Sequence, residues 1–132
     1  MSYKNLEIWQ LSHHLIIEIH KMSLELPKFE QFEEAKQIRR SSKTVKSCIV
    51  EGYGRRRYKG DFIKFLIYAL SSNDETLDHL ETIYSTGSLT NKLLYDDLHN
   101  KIELLGKKIN SFLKTVIKIH NTFTENNPQS TI

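Results

Sequence analysis

Cysteine occurs once in this chain of 132 residues, at Cys48. No disulfide can therefore close within it, and a lone thiol suits a reducing cytoplasm. Only two prolines and five glycines are present, and both prolines, Pro27 and Pro128, lie outside the stretches with helical periodicity. That scarcity favours long helices. No apolar stretch approaches the ~20 residues a membrane-spanning helix needs. The opening MSYKNLEIWQ lacks the apolar core of a secretory signal. Strand-like alternation and internal repeats are missing too. What remains, 39% hydrophobic and 27% charged residues, is the composition of one soluble domain with a modest core.

Four helical stretches stand out. Ile8, Ser12, Leu15, Ile19, Met22 and Leu26 alternate spacings of four and three, widened by Trp9 and Ile16, until Pro27 disfavours the helix. A second helix starts near Phe32, with Glu33 and Glu34 where its dipole favours acids. Its apolar side is thin, Ile38, Val45 and Ile49, and Ser41, Ser42 and Cys48 beside them would let another helix come close. Gly52 and Gly54 are expected to stop it. Asp61 is the expected N-cap of the third, whose inner side runs from Phe62, Phe65, Leu66 and Ala69 to Leu80 and Ile83. The fourth carries the most regular seam: Leu98, Ile102, Leu105, Ile109, Phe112, Val116, Ile119 and Phe123. The pattern predicts an all-α, antiparallel up-and-down four-helix bundle over residues 1–123, with helices at about 6–26, 32–53, 61–85 and 91–123 and a polar tail at 124–132.

Charge is unevenly spread. Residues 36–64 hold ten basic side chains against two acids, a net +8, while residues 74–103 hold seven acids against two lysines, a net −5. On a wheel of about 100° per residue, Lys36, Arg39, Arg40, Lys43 and Lys46 fall within roughly 120° of arc, opposite Ile38, Val45 and Ile49. No acid lies in that arc. Most charge runs are only solvated faces; this one reads equally as a polyanion surface.

The stretch EGYGRRRYKGD, residues 51–61, carries the charge onward through Arg55, Arg56, Arg57 and Lys59. It is not a mononucleotide loop. A dinucleotide fingerprint needs a preceding strand and a third glycine at fixed spacing, and a phosphate loop needs Gly-Lys-Ser/Thr. Here a helix precedes and arginines follow. The glycines are expected to supply positive φ angles for the reversal, and Glu51 to hold the turn by pairing with Arg55 or with another copy. Tyr53 and Tyr58 could stack on bases, though packing over the end of the bundle is the plainer role.

Catalytic chemistry finds little support. Di-iron bundles need inward carboxylates and a Glu-x-x-His motif on two helices. The nearest match is one Asp96-Asp97-Leu98-His99. His79, four after Glu75, and His14, four before Glu18, read as helical contacts. His13 and His20 flank the first apolar stripe and are expected to be packed and hydrogen-bonded. Cys48 reads as a buried, inert thiol rather than an activated one. No cofactor, metal or catalytic residue is expected.

The run QIRRSSKTVKSCIVEGYGRRRYKGDFIKFLIYALSS, residues 37–72, resembles a four-helix-bundle family of proteins encoded in intervening sequences of bacterial large-subunit ribosomal RNA genes. Accessory variability proteins of diversity-generating retroelements resemble the same group. The matching positions include Gln37, Ile38, Arg39, Arg40, Ser47, Ile49, Glu51, Gly52, Gly54, Arg55, Phe62, Phe65 and Leu66, with LEIWQ at 6–10. Lys46 replaces a family proline, implying a straighter second helix; Cys48 replaces an asparagine and Val50 an alanine. The resemblance implies a basic-surfaced bundle in rings of five that binds nucleic acid. For the retroelement members it also implies assistance to a reverse transcriptase. The expected function is thus a cytoplasmic, non-enzymatic, oligomeric binder of RNA or DNA, through Lys36, Arg39, Arg40, Lys43, Lys46, Arg55, Arg56, Arg57 and Lys59. The alternative is a protein-interaction adaptor, with a polymerase as its partner.

Overall fold

Each apolar stripe has become a helix, and the four stripes face one another around a single core. The computed structural model describes the backbone of residues 2–126 and the side chains of residues 2–121. Helix α1 is Glu7–Leu24, α2 is Glu34–Gly54, α3 is Lys59–Ser85 and α4 is Lys92–Asn126. Short 3-10 turns lie at Tyr3–Asn5 and Lys28–Phe32. Neighbours in sequence pack side by side, and α4 returns against α1, which closes an up-and-down bundle. Among the described residues no helix is long and apolar enough to cross a membrane. The tail expected from 124 lies mostly outside the described residues.

Leucine and isoleucine from all four helices fill the middle: Ile19, Ile38, Ile49, Leu66, Leu80, Ile83, Leu98, Ile102 and Ile109 are fully buried. A polar layer crosses it. Ser41 Oγ lies 2.8 Å from Thr76 Oγ1, joining α2 to α3. Asn73 Nδ2 donates to the Ile102 carbonyl of α4 at 3.0 Å. Its Oδ1 has no partner among the described residues. Gly106 lies beside it, and a Cβ there would stand 3.0 Å from Asn73 Nδ2.

Several expectations need correction. Gly52 and Gly54 do not supply positive φ; among the described residues only Gly87, after α3, has it. Gly52 is instead buried within the last turns of α2, where a Cβ would lie 3.0 Å from Phe65 Cβ and 3.3 Å from Phe62 Cδ1. Its missing side chain is what brings α2 and α3 together. Asp61 is not an N-cap: α3 already starts at Lys59, and Tyr58 at its N-cap makes no side-chain cap bond. Late in α4 the seam shifts: Val116 is buried as expected, but Leu113 is buried where Phe112 is only half-buried, and Ile119 leaves the seam at 54% exposure. A straight α-helix drifts about 20° per heptad from a strict seven-residue repeat, and the seam drifts with it. The side chain of Phe123 lies outside the described residues.

One buried acid was not anticipated. Glu30 is 4% exposed, between α1 and α2. One oxygen accepts from Ser88 Oγ at 2.7 Å, and the other from the Glu34 N–H at 3.2 Å, at the start of α2. The carboxylate thus ties the Lys28–Phe32 turn, the head of α2 and the α3–α4 loop together. Glu30→Ala should cost about 1–3 kcal/mol, since it leaves two half-buried donors without their acceptor. The urea midpoint measures it. A midpoint shift no larger than that of Glu33→Ala, at an exposed neighbour, would contradict this role.

Candidate nucleic-acid interface

The cations of α2 divide into two sets. The bundle buries Ala35, Ile38, Val45 and Ile49, which turns Lys36, Arg40 and Lys43 outward. No carboxylate pairs with these three among the described residues. Arg39 and Lys46 lie on the flank that meets α1. Arg39 donates to Ser23 Oγ at 2.9 Å, to Gln31 Oε1 at 3.2 Å and to the Gln31 carbonyl at 3.1 Å. Lys46 Nζ stands 3.1 Å from His13 Nδ1 and 5.6 Å from the centre of the Trp9 ring. These two tie α2 to neighbouring elements: Arg39 to Ser23 of α1 and to Gln31, and Lys46 to His13 of α1.

The turn between α2 and α3 holds the second cluster. Arg55 grips Glu51 at 2.9 Å, as expected, and reaches Asp61 at 3.4 Å. The Glu51 hydrogen bond, then its charge, raises the already high guanidinium pKa. Arg56 donates to the Tyr53 carbonyl at 2.9 Å and lies 4.1 Å from that ring's centre. Arg57 is exposed with no acid beside it among the described residues. Lys59 Nζ sits 5.8 Å from the Phe62 ring centre. Tyr58 is 64% exposed, so its ring is in solvent rather than over the core. Tyr53 packs edge-on against Phe62.

The structure therefore gathers Arg55, Arg56, Arg57 and Lys59 at one end, with Lys36, Arg40 and Lys43 along the outside of α2. Four further cations were missed: Lys107, Lys108, Lys114 and Lys118 on α4. The signal was available, since residues 104–121 contain four lysines and no acid.

The remaining candidates do other work. Burial, then the Glu51 charge, pushes the Cys48 thiol pKa up, the opposite of activation. His13 is half-buried and stacks on Trp9 at 4.9 Å, whereas His20 is exposed, correcting the expectation of packing. It lies one residue past Ile19, about 100° off the core stripe. His79 pairs with Glu34 of α2 at 2.7 Å, not with Glu75.

His99 bridges α3 and α4. Its Nε2 lies 2.9 Å from Glu81 and its Nδ1 2.9 Å from Glu103. Two carboxylates facing two ring nitrogens favour the doubly protonated ring. The Glu81 hydrogen bond raises the His99 pKa above 6.5, against the opposing effect of burial. A raised pKa stabilises the fold below the unfolded-state value, and that help fades as pH rises through the folded-state value. His99→Gln should lose under about 1 kcal/mol at pH 6 and less at pH 9. Urea midpoints of both proteins at the two pH values measure it. An equal gap at both would contradict a protonated bridge.

Comparison with known proteins gives a consistent picture. The model of a family described as 23S rRNA-intervening sequence protein matches residues 4–111. A crystal structure of a protein with unknown function from the S23 ribosomal protein family, from Bacteroides thetaiotaomicron, is similar at 26% identity. The TM-score is 0.73, with 81% of this chain and 95% of that one covered. Among curated proteins, nothing matches.

Proposed function

We propose, from the premise that this chain belongs to the 23S rRNA-intervening sequence protein family, that it is a non-enzymatic nucleic-acid-binding bundle, with RNA the favoured ligand. The observation that carries the proposal is the set of outward cations without acid partners among the described residues, Lys36, Arg40, Lys43 and Arg57. Arg55, Arg56 and Lys59 extend the set at the turn. Such groups neutralise phosphates at little desolvation cost and release the counterions around them. Exposed Tyr58, beside the arginines, offers a ring to an unpaired base. Arg39 and Lys46 belong to the proposed site as flanking charges, with helix–helix contact as their main work.

Self-association and a cytoplasmic location belong to the same proposal, with five copies the number that the family resemblance implies. Apolar side chains left in solvent support a neighbouring copy: Ile17 and Leu24 on α1, Phe29 and Phe32 before α2, and Leu93 and Leu104 on α4. Light scattering at micromolar concentration should give several times the chain mass of 15.5 kDa. A clean monomer at high concentration would end this part.

The test of binding is fluorescence anisotropy with labelled single-stranded RNA and DNA over a range of salt. Affinity should fall linearly with salt on logarithmic axes, and heparin or unrelated RNA should displace the probe. Absence of binding to either strand at low salt refutes the proposal. An acidic protein partner, such as a polymerase, would then be the occupant to seek.

A further inference from the structure

We infer that Lys107, Lys114 and Lys118 of α4 form a second phosphate-contacting track, continuous with the Arg55–Lys59 turn. One strand then crosses the end of the bundle instead of following α2 alone. This rests on the nucleic-acid reading above and extends it to a helix that the reading left out.

The three lysines share one face. From Lys107 to Lys114 is seven residues and to Lys118 eleven, so on a helix they fall within about 40° of one another. That face lies opposite the buried positions Leu98, Ile102, Leu105, Ile109 and Val116, and all three lysines are exposed. No acid pairs with any of them among the described residues, whereas neighbouring Lys108 reaches Glu7 at 3.2 Å. The earlier part of the same helix is built differently: Lys92 pairs with Asp96 at 2.8 Å, and Lys101 with Asp97 at 2.9 Å. A merely solubilising face would carry that mixed pattern throughout. The helix dipole does not account for the change either, since it acts within the last turn and Lys107 is about five turns from the end at Asn126.

Axial position links this face to the turn. Phe112 and Phe62 are in ring contact at 5.7 Å, so α4 near residue 112 lies beside the first turn of α3. Lys118 is six residues farther on, about 9 Å, which brings it level with the connection from α2. Lys114 stands between, and Lys107 about 16 Å back from Lys118 along the helix. The cations of the turn, Lys114 and Lys118 thus lie toward one end of the bundle, with Lys107 carrying the track back to its middle, next to Gly106 and Asn73. Meanwhile Asp74, Glu75, Asp78, Glu81, Asp96 and Asp97 lie toward the other end. Gathering like charge raises self-repulsion, and a phosphate chain laid over the end relieves it.

The experiment uses the full chain and fluorescein-labelled oligouridine of graded length. The variant is Lys107→Gln, Lys114→Gln and Lys118→Gln together. Its charge-matched control is Lys21→Gln, Lys28→Gln and Lys92→Gln, at the other end. On long strands the α4 variant should lower the salt slope by about 2, which is a loss of about 100-fold at 0.1 M relative to 1 M salt. The control should move far less. The extra affinity that wild type gains on longer strands should vanish in the α4 variant. If the α4 variant matches the control while the Arg55, Arg56 and Arg57 alanine variant is weakened, this inference fails and the nucleic-acid reading stands. Loss in the α4 variant alone overturns the continuous path. Wild-type behaviour of both overturns the inference and leaves Lys36, Arg40 and Lys43 of α2 as the site, whereas absence of binding by the wild-type chain overturns the reading itself.

Discussion

With Arg55, Arg56 and Arg57 all changed to alanine, binding to single strands should weaken and its salt slope should flatten by about 1.4 to 2.1. The range follows from the turn. Each phosphate contact contributes about 0.7 to the slope. Arg57 has no acid partner among the described residues, and Arg56 rests on a carbonyl and a ring, so both can turn to a phosphate without breaking a described ion pair. Arg55 is held by Glu51 and Asp61, and a phosphate must compete with two carboxylates. Two full contacts give the lower figure and three the upper. The loss should be similar for unrelated sequences, since phosphate contacts position a strand without reading it. Helical circular dichroism should stay as in wild type, because all three side chains are exposed. Wild-type affinity at every salt concentration would exclude this turn as the site. Arg39→Ala should behave otherwise, with stability falling first, because it holds Ser23 and Gln31.

Gly52→Ala is expected to have the largest effect on stability of any single exchange of glycine. Alanine normally gains about 1 kcal/mol over glycine inside a helix. Here the new methyl would stand 3.0 Å from Phe65 Cβ, an atom fixed to the α3 backbone, and 3.3 Å from Phe62 Cδ1. The helices must part, and overpacking of this kind costs about 1–3 kcal/mol. The clash outweighs the propensity gain, because a Cβ cannot swing aside. Gly54→Ala provides the opposite sign: nothing lies within 4 Å of its added Cβ, and the exchange should be neutral or mildly stabilising. Chemical denaturation of both separates steric closeness from backbone freedom. A stabilised Gly52→Ala would show that the helices yield freely there.

Periodicity made the helices and most of the core legible. The stripe Ile8, Ser12, Leu15, Ile19 and Met22 is the buried face of α1, serine included. Sequence spacing could not show what depends on a partner. Gly52 looks like a stop signal until Phe65 is seen against it. Glu30 reads as one more surface acid until Ser88, far along the chain, closes over it. At the candidate site the concentration of charge was legible, but its division was not. Arg39 and Arg40 are adjacent, yet about 100° of rotation gives one to Ser23 and leaves the other in solvent. The α4 lysines stand out less, because neutral and apolar residues separate Lys107 and Lys108 from Lys114 and Lys118, whereas Arg55, Arg56 and Arg57 are consecutive.

The contact of Asn73 with the Ile102 carbonyl beside Gly106 has a consequence for alignment. The seam of α4 nearly repeats every seven residues, so sliding α4 by one heptad along α3 would exchange one apolar side chain for another at most positions. Asn73 breaks that degeneracy. In the slid arrangements His99 or Leu113 would occupy the notch where Gly106 now admits the amide. The amide would then lose its carbonyl partner and meet a side chain instead. One buried asparagine and one glycine thus act as lock and key for the axial setting of α3 against α4, at the expense of an oxygen without a partner among the described residues.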